Sequence, residues 1–285
     1  MAPSDTPGDG QIGLGLTREE LFMAMRLAGV QEIPGVDLNW LHRGPDGSPA
    51  PEVVPVLEAA TGTLMARGLL APEGDAAAIE AGTARLCVAD VLIAIVGACA
   101  YAEQTVTLSL SLQGKDGRNH GDAFFIHRLR GLVVIHQPLF GDIHNFRCLT
   151  GDVRLGDLAS DLFGMDAQPP QDIAPCSLTI QAVDAAYARV QEGLPREAER
   201  TLLDAGASQN VTTRLVASIE RALLVGRISI SRKPASGSGG SIASVVVAPD
   251  AVALLEQSSP DDPRVAVSWV GAAGFRAWAQ AQLTS

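Results

Sequence analysis

The order of predicted helices and strands in this chain occurs twice, and this repetition constrains the fold more than any single motif. Each copy has three helices, then strands with alternating apolar residues, then a closing helix. The first copy covers residues 16–166 and the second covers residues 177–285. Residues 1–15 are predicted to be a disordered tail and residues 167–176 a linker, because both are rich in Gly, Pro and Asp or in Pro and Gln. The pattern predicts an α+β fold in which a pseudo-two-fold duplicated unit packs its helices on a central antiparallel sheet.

The strands are indicated by a change of period from helical spacing to strict alternation. Across residues 105–113, Val and Leu alternate with Thr, Ser and Gln, which is typical of a strand with one face in water. The connections between successive strands are too short for crossovers, so the pairing must be antiparallel. The predicted strands are residues 105–113, 123–128, 131–137, 227–232, 241–247 and 265–267. The predicted helices are residues 17–27, 52–68, 82–86 with 91–95, 155–162, 178–190, 212–224 and 272–283, with a further helix closing on residues 200–206.

Composition excludes several classes of function. The net charge is −11 and the basic residues are scattered, which disfavours nucleic acid as a partner. The longest apolar run, residues 88–102, is interrupted by Asp90 and is shorter than a membrane span, and the first ten residues do not have the pattern of a signal peptide. The four cysteines lack the close spacing of a zinc site and are predicted to be free thiols in a reducing compartment. We therefore expect a cytoplasmic protein without membrane association.

Three histidines of the first copy are the strongest candidates for chemistry. His127, His136 and His144 come close together on the predicted sheet, and with Cys148 they could form a metal site. A structural role is favoured, because histidine is commonly a partly buried polar residue and no carboxylate repeats the spacing. No nucleophile elbow, phosphate loop or carboxylate pair stands out. The sequence therefore predicts neither an enzyme nor a cofactor.

Three stretches of the chain resemble the EspG family, the cytosolic chaperones of type VII secretion in actinobacteria. They are the opening helix from Leu16 to Leu21 with its turn at residues 29–35, the helix ending in Arg67-Gly68-Leu69, and the C-terminal run from Gly226 through a glycine-rich hairpin to a closing helix. The resemblance implies a quasi-two-fold α/β fold with a central antiparallel sheet. It also implies a module that binds an exposed apolar tip of a helical secretion substrate and keeps that substrate soluble.

The prediction is thus a non-enzymatic protein-binding module, with a chaperone for a helical secretion substrate as its specific form. Two alternatives stay open: an enzyme of unrecognised chemistry, metal-dependent through the three histidines, and a self-associating regulatory protein that forms a homodimer through an edge strand. An apolar groove is expected near Leu202–Leu203 or Trp278. The two long hairpin tips are the predicted contact points with the partner, through Lys115, Asp116, Arg118, Lys233, Ser236 and Gly237.

Overall fold

The structure is a computed structural model that describes residues 11–41, 49–74, 77–78, 84–113, 119–140, 142–150, 153–163, 173–232, 240–259 and 261–284. The chain divides into two compact units. Unit 1 consists of the described residues within 1–105 and 124–152, and unit 2 of those within 106–123 and 153–285. The predicted division is continuous in sequence, with boundaries at residues 166 and 177. The two units are not continuous, because the described residues within 106–123 belong to unit 2 although they lie within the first predicted copy.

The described residues contain eight α-helices and twelve β-strands. The helices are α1 (Arg18–Leu27), α2 (Val54–Ala66), α3 (Asp90–Ala100), α4 (Leu155–Phe163), α5 (Ile180–Gln191), α6 (Pro195–Asp204), α7 (Gln209–Glu220) and α8 (Ala272–Thr284). The strands are β1 (Gln11–Thr17), β2 (Leu70–Glu73), β3 (Arg85–Val88), β4 (Gln104–Gln113), β5 (Asn119–Leu129), β6 (Leu132–Leu139), β7 (Ile143–Leu149), β8 (Cys176–Thr179), β9 (Leu224–Arg232), β10 (Gly240–Ala248), β11 (Ala251–Gln257) and β12 (Arg264–Val270). Every helix in these ranges is too short or too polar to traverse a bilayer.

Ten strands form one antiparallel sheet in the order β1-β7-β6-β5-β4-β9-β10-β11-β12-β8. The order of the first five strands mirrors that of the last five. In each half, four consecutive strands form a meander, and the strand that precedes the first helix pairs with the last strand of the meander. The predicted α+β class and the central antiparallel sheet are therefore confirmed.

A threonine caps the first helix of each half. Thr17 and Glu20 form a capping box at α1: the Glu20 amide donates to Thr17 Oγ1 (3.2 Å) and the Thr17 amide donates to Glu20 Oε2 (3.0 Å). Thr179 caps α5 with one bond, accepted from the Ala182 amide at 3.3 Å. Both helices end before a glycine at positive φ, Gly29 (φ 70°) and Gly193 (φ 76°), where the left-handed backbone favours glycine. Local sequence therefore sets where these two helices start and stop.

The core of unit 2 lies on both faces of its strands. One face packs against α5, α6 and α7, with Leu178, Leu202, Leu215, Val246 and Val267 in a buried aliphatic cluster. On the opposite face, Phe163 of α4 and Phe275 of α8 meet edge to face at 5.5 Å between ring centroids. Gly226 of β9 lies directly beneath Phe163, so a side chain at this position would overlap the Phe163 ring. Unit 2 is thus a helix–sheet–helix sandwich.

The structure corrects several predicted elements. Residues 11–15, expected in the disordered tail, are part of strand β1, which pairs along its whole length with β7; residues 1–10 lie outside the described residues. Cys176, expected in the linker, begins strand β8, and α5 starts at Ile180 rather than 178. Strands β2, β3, β7 and β11 were not predicted, and β3 includes Arg85 and Leu86 of the expected helical element 82–86. Strands β1 and β8 were missed because each pairs with a strand distant in sequence, which local alternation does not indicate.

Candidate binding groove

An apolar groove opens in unit 2 between the helices α5 and α7 and the sheet. Its cavity volume is about 470 Å³. Its wall consists of residues of α5 and α7, and its floor of alternate residues from β9 and β10 together with residues of β11 and β12. The lining residues are Ile180, Val183, Asp184, Tyr187, Leu215, Ile219, Val225, Arg227, Ile242, Ser244, Val246, Leu255, Gln257 and Val265.

The α5 wall follows from helical spacing. Ile180, Val183, Asp184 and Tyr187 are three, four or seven residues apart, so they share one face of the helix. Ile180, Val183 and Tyr187 are half-buried, whereas Ala186 on the neighbouring face is buried in the core. This helix therefore has one stripe in the core and a second apolar stripe that faces the groove.

The floor is apolar with a few polar groups. Val225 and Ile242 are half-buried and contribute aliphatic surface, and Ser244 contributes a hydroxyl. Arg227 is exposed on the floor and makes no ion pair with another described residue. The groove therefore combines mainly apolar walls with two charged groups, the Arg227 cation on the floor and the exposed Asp184 carboxylate on the α5 wall.

Helix α7 is fixed beside the groove by two arginines. Arg214 Nη1 and Arg221 Nη2 each lie 3.2 Å from a carboxylate oxygen of Asp250, in the turn between β10 and β11. Burial acts to raise the pKa of Asp250, but the two guanidinium groups outweigh it and lower that pKa. Asp250 is therefore charged at neutral pH and holds α7 to the hairpin whose first strand forms part of the floor.

The three predicted histidines lie together in unit 1 but not as a metal site. His136 Nε2 and His144 Nδ1 are 2.9 Å apart, which is a hydrogen bond between the two rings. His127 stacks beside His136 at 6.3 Å, and its Nδ1 is 3.2 Å from Thr105 Oγ1. The described residues contain no group of three or more side chains arranged to hold a metal ion. The expectation that the histidines lie close together is confirmed. One nitrogen of each ring has a contact, to another histidine or to Thr105, while His127 Nε2 and His136 Nδ1 are buried without a hydrogen-bond partner among the described residues.

Aromatic rings enclose these histidines to form what we call the histidine stack: Phe125, His127, His136, His144 and Phe146. Phe146 stacks on His136 at 4.6 Å and Phe125 at 5.5 Å. His127 and His136 are fully buried. Burial lowers the pKa of His127 to about 4. Burial, followed by the neighbouring His144 and His127, lowers that of His136 to about 3. At neutral pH the stack is therefore uncharged.

The predicted contact residues belong to the two hairpin tips, residues 114–118 and 233–239. Lys115, Asp116, Arg118, Lys233, Ser236 and Gly237 all lie outside the described residues.

The expected location of the groove was wrong. Leu202 is buried in the core, Leu203 is on the surface of α6, and Trp278 on α8 does not line the groove. The two signals that would have located it are the second apolar stripe of α5 and the alternation of Val225 and Arg227.

Comparison with known proteins shows a similarity of fold to a solved structure. No family model and no curated protein matches the chain. Among solved structures, the chain is similar to EspG5, a type VII secretion system chaperone from Mycobacterium tuberculosis, in its complex with the PE25–PPE41 dimer. The match has 12% sequence identity, covers 95% of this chain and 96% of EspG5, and has a TM-score of 0.64. The chain therefore has the EspG5 fold, and the resemblance to the EspG family is confirmed at this level.

A second solved structure, HtdX from Mycobacterium tuberculosis, matches at 12% identity over 92% of this chain and 99% of HtdX. Its TM-score of 0.16 is too low to carry an argument.

Proposed function

We propose that this chain is a non-enzymatic protein-binding module, a chaperone that holds the apolar tip of a helical secretion substrate in the groove of unit 2. The observation that carries the proposal is the groove itself, an apolar channel on a fold shared with a secretion chaperone. Half-buried apolar groups on both wall and floor are the surface that an amphipathic helix covers when it docks. The PE25–PPE41 dimer bound by EspG5 supports a protein as the partner.

Arg227 narrows the chemistry of the partner. A cation on an otherwise apolar floor favours a helix tip that carries a carboxylate, or the C-terminal end of a helix with its free carbonyl groups. The substrate segment would therefore have apolar side chains for Ile180, Val183 and Tyr187, with an acidic group within reach of Arg227.

The enzyme alternative has no support from the groove. Nucleophilic catalysis needs a hydroxyl or thiol in hydrogen-bond contact with a base. Ser244 is the aliphatic hydroxyl of the lining, and no described histidine or carboxylate is hydrogen-bonded to it. The proposal therefore includes no catalytic residue and no cofactor.

The same proposal includes an internal duplication and a cytoplasmic site of action. The mirrored strand order supports the duplication, as do the threonine caps at the first helix of each half. A cytoplasmic location is where a chaperone meets its substrate before export, and reduced cysteines are compatible with it: Cys87, Cys99, Cys148 and Cys176 are all free.

The test is co-expression of this chain with helical secretion substrates of its source organism, with the soluble fraction of each substrate as the readout. A substrate that is solubilised is then titrated against variants by calorimetry. Tyr187→Glu places a charge on the groove wall, and we expect it to weaken binding at least tenfold, about 1.4 kcal/mol. Leu203→Glu is the matched control, since Leu203 is an exposed apolar residue of α6 outside the groove. Substrates whose solubility is indifferent to this chain, or equal losses for the two variants, would overturn the proposal.

A further inference from the structure

A segment of unit 1, residues 33–40, lies over the histidine stack; we call it the strap. Ile33 is buried in the core of unit 1. Gly35, at φ 82°, lies so close to the Phe125 ring that any side chain would overlap it. The Pro34 carbonyl is near enough to His136 to favour the charged ring, although the two do not meet the geometry of a hydrogen bond. The strap is thus in direct contact with the stack.

The strap is held by side-chain packing more than by backbone hydrogen bonds. Among the described residues, the backbone hydrogen bonds of the strap run within it, from the Val36 amide to the Ile33 carbonyl and from the Leu41 amide to the Leu38 carbonyl. By contrast, His136 is on a strand that is paired on both sides. Separating the strap from the stack therefore breaks fewer backbone hydrogen bonds than separating the strands.

We propose that the strap is a lid that opens when the histidine stack takes up protons. The bond between His136 Nε2 and His144 Nδ1 needs one ring as donor and the other as acceptor. When both rings are charged, both nitrogens carry hydrogens and the bond is lost. The charged rings are then buried in an apolar layer, which is unfavourable. Opening of the strap exposes them to water and removes this desolvation cost. This device is independent of the groove in unit 2.

The charged groups around the stack do not offset this effect. Asp142, on the β6–β7 turn, and Glu19 of α1 act to raise the pKa of His144, but burial outweighs them and lowers it. Both carboxylates already pair with Arg18, at 2.9 and 2.8 Å. From β4, the group that meets His127 is the neutral Thr105 hydroxyl. Burial raises the pKa of the nearby Cys99 and Cys148 thiols, so they stay neutral. On the strap itself, Glu32, just before it, and Asp37 are exposed.

The direction of the effect follows from proton linkage. In the closed state His127 and His136 have depressed pKa values of about 4 and about 3, while the ordinary value is 6.5. At pH values between the depressed and the ordinary pKa, the open state therefore binds more protons than the closed state. Opening is therefore favoured as the pH falls. Each histidine raises the opening equilibrium by about tenfold per pH unit between roughly pH 6 and pH 4.

Trp40 is a built-in reporter of the lid. It is half-buried at the end of the strap, with the Arg18 guanidinium 4.8 Å from its ring centroid and Phe22 at 6.2 Å. The other two tryptophans, Trp269 and Trp278, are in unit 2. The full-length chain with Trp269→Phe and Trp278→Phe therefore reports strap opening by Trp40 fluorescence, while hydrogen exchange follows residues 33–40 and β5–β7 separately.

We expect Trp40 emission to shift to the red between pH 7 and pH 5. The opening equilibrium of residues 33–40, obtained by dividing each exchange rate by the intrinsic amide rate at the same pH, should rise at least tenfold over that range, while β5–β7 stay protected. His136→Phe keeps a ring in the stack. It should lower the slope of the logarithm of the opening equilibrium against pH by about one, which is the contribution of one histidine. The control His120→Gln, five residues before Phe125 on β5, should leave the slope unchanged. If His136→Phe does not fold, His127→Leu tests the same slope. An opening equilibrium that does not change with pH after division by the intrinsic amide rate, a strap that opens only together with β5–β7, or an unchanged slope in the histidine variant would overturn the proposal.

Discussion

The helix-facing surface of the sheet is filled in one unit and open in the other. In unit 1, His127, His136 and His144 occupy alternate positions on three consecutive strands, together with phenylalanines. In unit 2, the corresponding strands of the meander carry Ser244, Gln257 and Val265, which line the groove. The same strand order therefore gives a packed stack where the side chains are large rings and a channel where they are small.

The segment that connects the first two helices also differs in length between the two units. In unit 1, residues 28–53 connect α1 to α2 and contain the strap, which covers the stack. In unit 2, α5 and α6 are connected by residues 192–194 alone, a connection much shorter than that of unit 1. A long connection closes the surface of unit 1, and a short one leaves that of unit 2 accessible. The length of this connection thus distinguishes the covered surface of unit 1 from the groove of unit 2.

The largest effect tests whether the stack is a packed core. Phe146→Ala removes a fully buried ring that stacks on His136, and we expect a loss of about 3–5 kcal/mol in the free energy of unfolding. Phe140→Ala is the control, because Phe140 is 88% exposed and its loss should cost less than about 0.5 kcal/mol. Urea titrations of both variants give the comparison. Similar losses in the two would mean that the stack does not support the fold.

A smaller effect tests the contact between strap and stack. Gly35→Ala adds a methyl group against the Phe125 ring at positive φ, and we expect a loss of at least about 2 kcal/mol. Gly29→Ala also has positive φ, but nothing lies within 4 Å of the added Cβ, so it should cost only about 1 kcal/mol. The difference between the variants in thermal or urea unfolding isolates the steric contact. Equal losses would show that the strap does not rest on Phe125.

Much of the scaffold could be predicted because its signals are local. The capping box at Thr17 located the start of α1, and the alternation from Val106 to Leu110 located β4. Strand β11, Ala251–Gln257, was missed because its Ala, Leu and Glu residues favour a helix, and its pairing with β10 and β12 overrides that preference. Strand β1 was missed because Gly13 and Gly15 indicate a flexible tail, whereas β7 supplies the pairing that orders them.

The histidine stack and the groove differ in the same way in how far the sequence predicts them. The three histidines are within eighteen residues of one another on neighbouring strands, and the sequence brought them together correctly. The groove joins α5 to strands that follow more than thirty residues later, so its lining depends on tertiary contacts that local periodicity does not contain. Apolar stripes of α5 could be read from the sequence, but the partner of the second stripe could not.

The smallest effect on stability gives the most direct test of the comparison. Ser244→Leu places a larger aliphatic side chain in the groove of unit 2, where the stack of unit 1 has large rings. Because the groove has room for the added atoms, we expect the free energy of unfolding to change by less than about 0.5 kcal/mol. Binding of the helical substrate should fall at least tenfold, since the new side chain occupies the volume that the substrate needs. Ser244→Ala, which removes the hydroxyl without filling the groove, is the matched control and should bind as the wild type does. Loss of binding in the alanine variant would assign recognition to the hydroxyl, and full binding in the leucine variant would show that the open volume of unit 2 is not where the partner lies.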